Sequence, residues 1–260
     1  MKKIFNLFIG TTLIITLLTS CSNPFVQTPT TITNSQEIPA ANQASEEDIV
    51  NSSIIIDINV EVLETVIYNL PEYEGYIYAA TRIENTGTVA VEVSKFDCSL
   101  DIEDDNGNFI IHIDNVEVGP SVIMPGEIGY IVGSEYDDKI DPDKCNKVIA
   151  NLSYDSSATF SDTLAIEDVS FNKFSSYFYA TPGRVINENS YDIKGVTPII
   201  AFFDKNGAFL GVYIDRKLDI KGSSKMGFPG EPSDPIPLSV FAIDDVGSIV
   251  AIGSYVPEQG

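Results

Sequence analysis

Histidine is almost missing from this sequence: one, His112, occurs in 260 residues, beside three cysteines and 15 basic side chains against 38 acidic ones. Any mechanism that uses imidazole as a general base or a metal ligand must rest on that single ring. It stands in the strand-like run Phe109-Ile110-Ile111-His112-Ile113, where a structural place on a strand face is the simpler reading. No Gly-x-Ser-x-Gly elbow, His-Glu-x-x-His helix or phosphate-cradling glycine loop occurs. Paired carboxylates are so abundant that they lose diagnostic value. The sequence therefore gives no basis for an enzyme, and a binding or scaffolding role is expected.

The scarcity of lysine and arginine leaves a net charge of −23. Residues 1–20 hold two lysines and no acid, so the rest of the chain is more negative still. Such a surface repels phosphate backbones and anionic headgroups, which argues against nucleic acid as a partner. A solvated acidic exterior is the plainest reading, with attraction of cations or basic partners as the alternative. Two clusters sharpen the cation question: Asp101, Glu103, Asp104, Asp105 and Asn106, and then Asp137, Asp138, Asp141 and Asp143. Calcium takes six to eight oxygens from closely spaced carboxylates and carbonyls, so calcium is the one cofactor to consider, with Asp137 to Asp143 the better candidate site. Neither cluster has EF-hand spacing, and Asn106-Gly107 is explained more simply as a tight hairpin turn.

Long apolar stretches are also few, and the clearest lies at the start. Lys2 and Lys3 precede an apolar run from Ile4 to Leu18, the charged and apolar regions of a secretory signal. The run is shorter than the roughly 20 residues a membrane-spanning helix needs, and polar sequence follows at once. Leu18-Thr19-Ser20-Cys21 resembles a bacterial lipobox, which implies cleavage before Cys21 and acylation of its sulfur and new amino terminus. Several acyl chains hold a membrane stably, since each buried CH₂ contributes roughly 0.8 kcal/mol. The expected setting is a lipid anchor on the extracytoplasmic face of the cell membrane. A host with two membranes would direct it to the outer one, because Ser22 replaces the aspartate of the family's retention signal. With Cys21 lipidated, Cys98 and Cys145 are an even pair in an exported chain, and a disulfide between them is expected, worth about 4 kcal/mol on chain-entropy grounds. The alternative is a pair of isolated buried thiols serving as small apolar side chains.

Residues 21–51 are rich in Thr, Ser, Asn, Gln and Pro, with no sustained apolar period. Such sequence cannot bury enough surface to offset its ordering entropy. It reads as a flexible linker of about 30 residues that spans roughly 30 Å. Beyond it no window of helical period is long enough to trust. Ile56, Ile58, Val60 and Val62 alternate with polar residues, as do Val89, Val91 and Val93, and Val148, Ala150, Leu152 and Tyr154, the period of a half-buried strand. Asn85-Thr86-Gly87, Asp105-Asn106-Gly107, Pro125-Gly126, Asn206-Gly207 and Gly222-Ser223-Ser224 supply turns between runs. Short strands with frequent turns predict an all-β sandwich.

Landmarks also recur about 100 residues apart. Tyr76-Ile77-Tyr78-Ala79 and Arg82-Ile83-Glu84-Asn85 are answered by Tyr177-Phe178-Tyr179-Ala180 and Arg184-Val185-Ile186-Asn187. Asp104-Asp105-Asn106-Gly107 is answered by Asp204-Lys205-Asn206-Gly207, and Ile123-Met124-Pro125-Gly126 more weakly by Ile220-Lys221-Gly222-Ser223. Repetition of the aromatic groups, with Tyr73 in the first, fits a core or inter-sheet place better than a sticky face for a protein or glycan. The division expected is a leader at 1–20, a linker at 21–51 and similar units at 52–156 and 157–260. Each half resembles the immunoglobulin-like sandwiches of bacterial surface lipoproteins, the FxLYD-type domains. Ile200-Ala201-Phe202-Phe203-Asp204 with Gly207 carries the likeness in the second half. In the first half it rests on Leu100-Asp101-Ile102-Glu103-Asp104 with Gly107, where Glu103 replaces the aromatic, and on Pro125-Gly126-Glu127. The resemblance implies two tandem immunoglobulin-like β-sandwiches in an extracytoplasmic setting and brings no catalytic residues. An envelope protein or glycan is the expected partner, with a transporter's substrate-capturing lipoprotein and a calcium-dependent spacer as alternatives.

Overall fold

The computed structural model describes residues 56–69, 75–170, 172–173, 179–230 and 245–258. Cys21, the leader and the linker lie outside them, as do Tyr73, Tyr177 and Phe178. The fold is all-β and antiparallel. Its first half holds β1 (Val60–Asn69), β2 (Tyr76–Asn85), β3 (Val91–Val93), β4 (Ser99–Glu103), β5 (Phe109–Ile113), β6 (Val116–Gly119), β7 (Val122–Ile123), β8 (Ile128–Tyr136), β9 (Lys147–Asn151) and β10 (Tyr154–Ser156). Its second half holds β11 (Asp162–Glu167), β12 (Asn172–Lys173), β13 (Tyr179–Ala180), β14 (Gly183–Asn187), β15 (Ile193–Asp204), β16 (Phe209–Ile214), β17 (Leu218–Ile220), β18 (Ser224–Phe228) and β19 (Val246–Tyr255). Among the described residues the helical structure is a single 3₁₀ turn at Pro142–Lys144, and no helix is long and apolar enough to cross a membrane.

In the first half, a sheet of order β1-β2-β8-β6 faces two small sheets, β5-β4-β9 and β10-β3-β7. Ile77, Ala79, Ile83 and Ile131 project from the first sheet onto Leu100, Ile102, Ile113 and Val148 to fill the space between. The second half is one continuous path, β16-β15-β19-β11-β14-β18, with β17 added to β15. Strand β11 carries that path from one layer to the other. Its residues 162–165 pair with β19, and Ile166 and Glu167 pair with β14.

The repeated landmarks occupy matching places. Asn85 closes β2 and is fully buried; its amide donates to the carbonyls of Val89 and Ile123, both at 2.8 Å, while its oxygen accepts Gly87 N at 3.0 Å. Asn187 closes β14 and does the same with the carbonyls of Tyr191 (2.9 Å) and Lys221 (3.1 Å) and with Asn189 N (3.0 Å). At the hairpins, Asp104 Oδ1 accepts from the amides of Asn106 and Asn108, and Asp204 Oδ1 from those of Asn206 and Ala208. Gly107 and Gly207 follow with φ of 78° and 86°, which only glycine adopts without strain. Even the ladder slips alike, between Ile102 and Glu103 and between Phe202 and Phe203. The third echo holds through a turn amide: Gly126 N donates to Asn85 O, and Ser223 N to Asn189 O.

Of the second aromatic landmark, only Tyr179 and Ala180 fall among the described residues. In the second half Tyr179 and Ala180 form β13 against β12, and Thr181-Pro182 separates them from β14. Strand β2, by contrast, runs unbroken from Tyr76 and is covered on both faces. Ile77 and Ala79 enter the first core, while Tyr78 and Ala80 join a cluster with Ile199, Phe203, Phe209 and Val212 of the second half. The halves therefore share a hydrophobic seam. A bulge serves it, since the ladder of β1 slips between Val62 and Glu64. Val60 and Val62 point to the first core, and beyond the slip Val66 and Tyr68 point to the seam. The alternation expected from Ile56 onward thus names the right face but begins its strand late, at Val60, and reverses at Leu63.

Polar contacts fix the seam's register. The Tyr78 hydroxyl donates to Val212 O (2.9 Å) and accepts from Val212 N (3.1 Å), on the side of β16 turned away from β15. Tyr130 stacks on Phe209 with ring centres 5.8 Å apart. Arg82 pairs with Glu64 at 2.9 Å and lies over the Phe203 ring. Where β6 meets β15 there is no spare room: a Cβ on Gly119 would lie 2.8 Å from Ile199 Cδ1.

Two stability predictions follow from these contacts, both read by urea denaturation. Tyr78→Phe leaves both polar groups of Val212 unpartnered in a dry place and should cost about 1–3 kcal/mol. Asn85→Ala and Asn187→Ala should each cost about 1–3 kcal/mol, whereas Asp104→Ala and Asp204→Ala, on exposed turns, should each cost less than their asparagine counterparts.

Candidate functional site

Placing the expected site residues comes first. Cys21 lies outside the described residues. The expected Cys98–Cys145 disulfide is not formed: both are buried free thiols. Cys98 precedes β4 at the end where Ser99 pairs with Asn151, and Cys145 lies at the other end, where Lys147 pairs with Glu103. The strand between holds them roughly 15 Å apart at about 3.3 Å per residue, far beyond the Cα separation a disulfide tolerates. Ser153 supplies a local partner for Cys98 instead, its amide donating to the sulfur at 3.3 Å.

The proposed calcium ligands are likewise not assembled. Among the described residues no three carboxylate, thiol or imidazole groups converge as a metal set. Asp137 Oδ1 accepts Lys139 N at 2.9 Å, Asp141 accepts Asp143 N and pairs with Lys144 at 2.9 Å, and Asp138 and Asp143 are exposed. Asp137 and Asp141 each cap their own short turn, so closeness in sequence does not become convergence in space. In the first cluster Asp101 meets His112 at 2.5 Å and Glu103 pairs with Lys147 at 2.7 Å. Local amides and the Asn108 side chain hold Asp104 below the usual carboxylate range. His112 lies on β5, half exposed and engaged with Asp101, which matches a strand-face histidine.

A groove lies between the halves, with a volume of about 490 Å³. Val93, Glu117, Val118 and Pro120 line one wall; Thr197, Ile214, Asp215, Ser254 and Tyr255 line the other. The second wall owes its shape to β15, which pairs with β17 through Ile193 and Val196, slips register, and then joins β19 from Thr197 onward. Asp215 follows the last residue of β16, and its amide donates to Pro198 O at 2.9 Å. Its side chain is buried, at 8% exposure. Oδ1 accepts Arg216 N at 2.7 Å, and Oδ2 is sealed from solvent, with no hydrogen-bond donor among the described residues. Nearby, the Tyr255 hydroxyl donates to Asp162 at 3.1 Å, and burial together with that carboxylate pushes the phenol up to about 12.

The rim is basic in an acidic protein. Of the 15 lysines and arginines in the chain, Lys95, Lys194, Arg216 and Lys217 border this groove. Lys95 is held by Glu117 at 3.2 Å and Lys194 by Glu258 at 3.1 Å. Among the described residues Arg216 and Lys217 have no ion-pair partner. Sequence reasoning passed over this site because its parts lie about 120 residues apart. Its one local signal was Asp215-Arg216-Lys217, a basic pair in a chain short of bases.

The free thiols generate a pH prediction. Burial, with a smaller contribution from Asp141, raises Cys145 from 9.0 to about 11, and burial raises Cys98 as well. Unfolded thiols ionise first, so the stability from keeping them protonated is complete below pH 9 and is lost as pH climbs toward 11. Tyr68 and Tyr255, both pushed from 10.0 to about 12, extend the loss upward. Denaturation midpoints should fall from pH 9 upward, and a Cys98→Ala/Cys145→Ala chain should flatten the first part of that fall. Native-state alkylation at neutral pH should be slow at both positions, with two thiols becoming reactive in denaturant.

No family model, no curated protein and no solved structure matches the chain.

Proposed function

We propose that this chain is an exported, lipid-anchored binding module that works outside the cytoplasmic membrane without catalysing a reaction. The observation that carries the reading is the order of its first segments: Lys2 and Lys3, the apolar run Ile4 to Leu18, and Leu18-Thr19-Ser20-Cys21. Cleavage before Cys21 and acylation there anchor the chain in the membrane, and residues 21–51 act as a stalk of roughly 30 Å. Two immunoglobulin-like sandwiches of the FxLYD type, at 52–156 and 157–260, form the binding part. The matched networks of Asn85 with Asn187 and of Asp104 with Asp204 support a duplicated unit.

What supports binding over catalysis is the chemistry present. His112 is engaged with Asp101 on an open strand face, and both described thiols are raised in pKa and out of reach. The envelope-protein or glycan scaffold remains the first reading. One observation favours capture of a small molecule as the second: the groove of about 490 Å³ between the halves, bordered by Lys95, Lys194, Arg216 and Lys217.

Mass spectrometry of protein purified from its native host tests the anchor. The expected mass is that of residues 21–260 with acyl groups on Cys21, and Cys21→Ser should move the chain to the soluble fraction. An intact leader or a bare Cys21 sinks the proposal.

A further inference from the structure

Asparagine followed by glycine occurs at Asn106-Gly107 and Asn206-Gly207, and both pairs lie on the hairpin turns that the two halves share. We propose that these turns are sites of self-modification in which the asparagine side chain loses its nitrogen to water, and that Asn106 converts faster than Asn206 because Asn108, rather than Asn106, takes the second oxygen of Asp104. The step needs no enzyme. Solvent base removes the proton of the Gly107 amide, the amide nitrogen bonds to Cγ of Asn106, and the side-chain nitrogen leaves as ammonia. Water then opens the five-membered imide at one carbonyl or the other, which yields aspartate or isoaspartate. The net change is one water consumed and one ammonia released, with no oxidation. Aspartate at position 106 adds a charge beside Asp101, Glu103, Asp104 and Asp105. Isoaspartate also adds a methylene to the main chain inside the turn that Gly107 N closes on Asp104 O at 3.0 Å.

Access and turn chemistry place the step at these pairs. Asn106, Gly107, Asn206 and Gly207 are all exposed. A glycine offers no side chain to block the attack, and the turns demand one at both places, with φ of 78° and 86°. Every other asparagine in the chain is followed by a residue with a side chain, and Asn85 and Asn187 are buried as well. What separates the two turns is the second oxygen of the aspartate. In the first, Asn108 Nδ2 donates to Asp104 Oδ2 at 2.8 Å. The Asn108 side chain makes the largest contribution to the lowering of that carboxyl, and the Asn106 side chain the smallest. In the second, the matching residue is Ala208, which has no side-chain donor, and Asn206 Nδ2 takes the place on Asp204 Oδ2 at 3.2 Å. Asn206 must give up that bond before its Cγ can turn to the glycine amide, whereas Asn106 has little to give up. A hydrogen bond of ordinary net strength slows such a step by about two- to tenfold.

The test is to hold the full-length protein in detergent in warm, mildly alkaline buffer for weeks and to follow each asparagine by peptide mass spectrometry. Both Asn-Gly pairs should convert ahead of every other asparagine, with Asn106 about two- to tenfold ahead of Asn206. In guanidinium chloride, where the bonds to the aspartates are gone, the two rates should converge. Asn108→Ala should let Asn106 take Asp104 Oδ2 and slow it by about the same two- to tenfold, and Ala208→Asn should hasten Asn206 as much. Both substitutions fall on exposed side chains, so melting temperatures should not change. The proposal is overturned if neither pair converts ahead of the other asparagines, if the native rates are equal or reversed, or if their difference persists in denaturant. An Asn106 rate indifferent to Asn108→Ala, or an Asn206 rate indifferent to Ala208→Asn, overturns it too.

Discussion

One tyrosine hydroxyl lies where the two halves must agree. Strand β16 is the edge of its sheet, and an edge presents unpaired amides and carbonyls that invite another chain. Tyr78 reaches from the first half and satisfies both polar groups of Val212 at once, as donor and as acceptor. The rest of the seam is arranged around that contact: Tyr130 against Phe209, Arg82 over Phe203, and Glu64 accepting the amide of Phe209 at 3.3 Å. Remove the second half and the Tyr78 and Ala80 face of β2 is left in water. Remove the first, and the edge of β16 is left open. Each half covers a liability of the other, and the apolar side chains of the seam are buried with it.

That docking draws on different parts of the two halves. The first offers the long strand β2, and the second, where Thr181-Pro182 separates β13 from β14, offers the edge of β16. The turns are common to both: Asn85 and Asn187, like Asp104 and Asp204, serve only the strands beside them. The groove follows from the same asymmetry. Gly119 lets β6 touch Ile199, and next to that contact the walls part, with Asp215 on one side and Glu117 on the other.

The acidic charge is spread by local means. Asp104, Asp141 and Asp204 are spent on the amides of their own turns, and Glu64, Glu103, Glu117 and Glu167 on single cations. Exposed pairs of this kind contribute little to stability, about 0–1 kcal/mol each. Their larger effect is to occupy cations in a chain that has few. Arg216 and Lys217, like Lys139 and Lys205, have no ion pair among the described residues, and they lie beside a buried carboxylate.

What the sequence discloses depends on how far a feature reaches along the chain. Turns are legible because Asx chemistry spans four residues, so Asp104-Gly107 and Asp204-Gly207 announce their geometry unaided. The strand period is legible as far as Val62, and fails at Leu63 because a bulge leaves no mark in hydropathy. The second covered face of β2 was open to view in Tyr76-Ile77-Tyr78-Ala79-Ala80, a run without alternation, which is the mark of a strand buried on both sides. Repetition drew attention to both aromatic sets, of which the first lies on the long strand β2. Cys98 and Cys145 show the opposite error, since counting thiols says nothing about the strand that lies between them. Asp215 was the least legible of all. The facing wall of its groove comes from the first half of the chain, so this buried carboxylate becomes conspicuous only once both halves are placed.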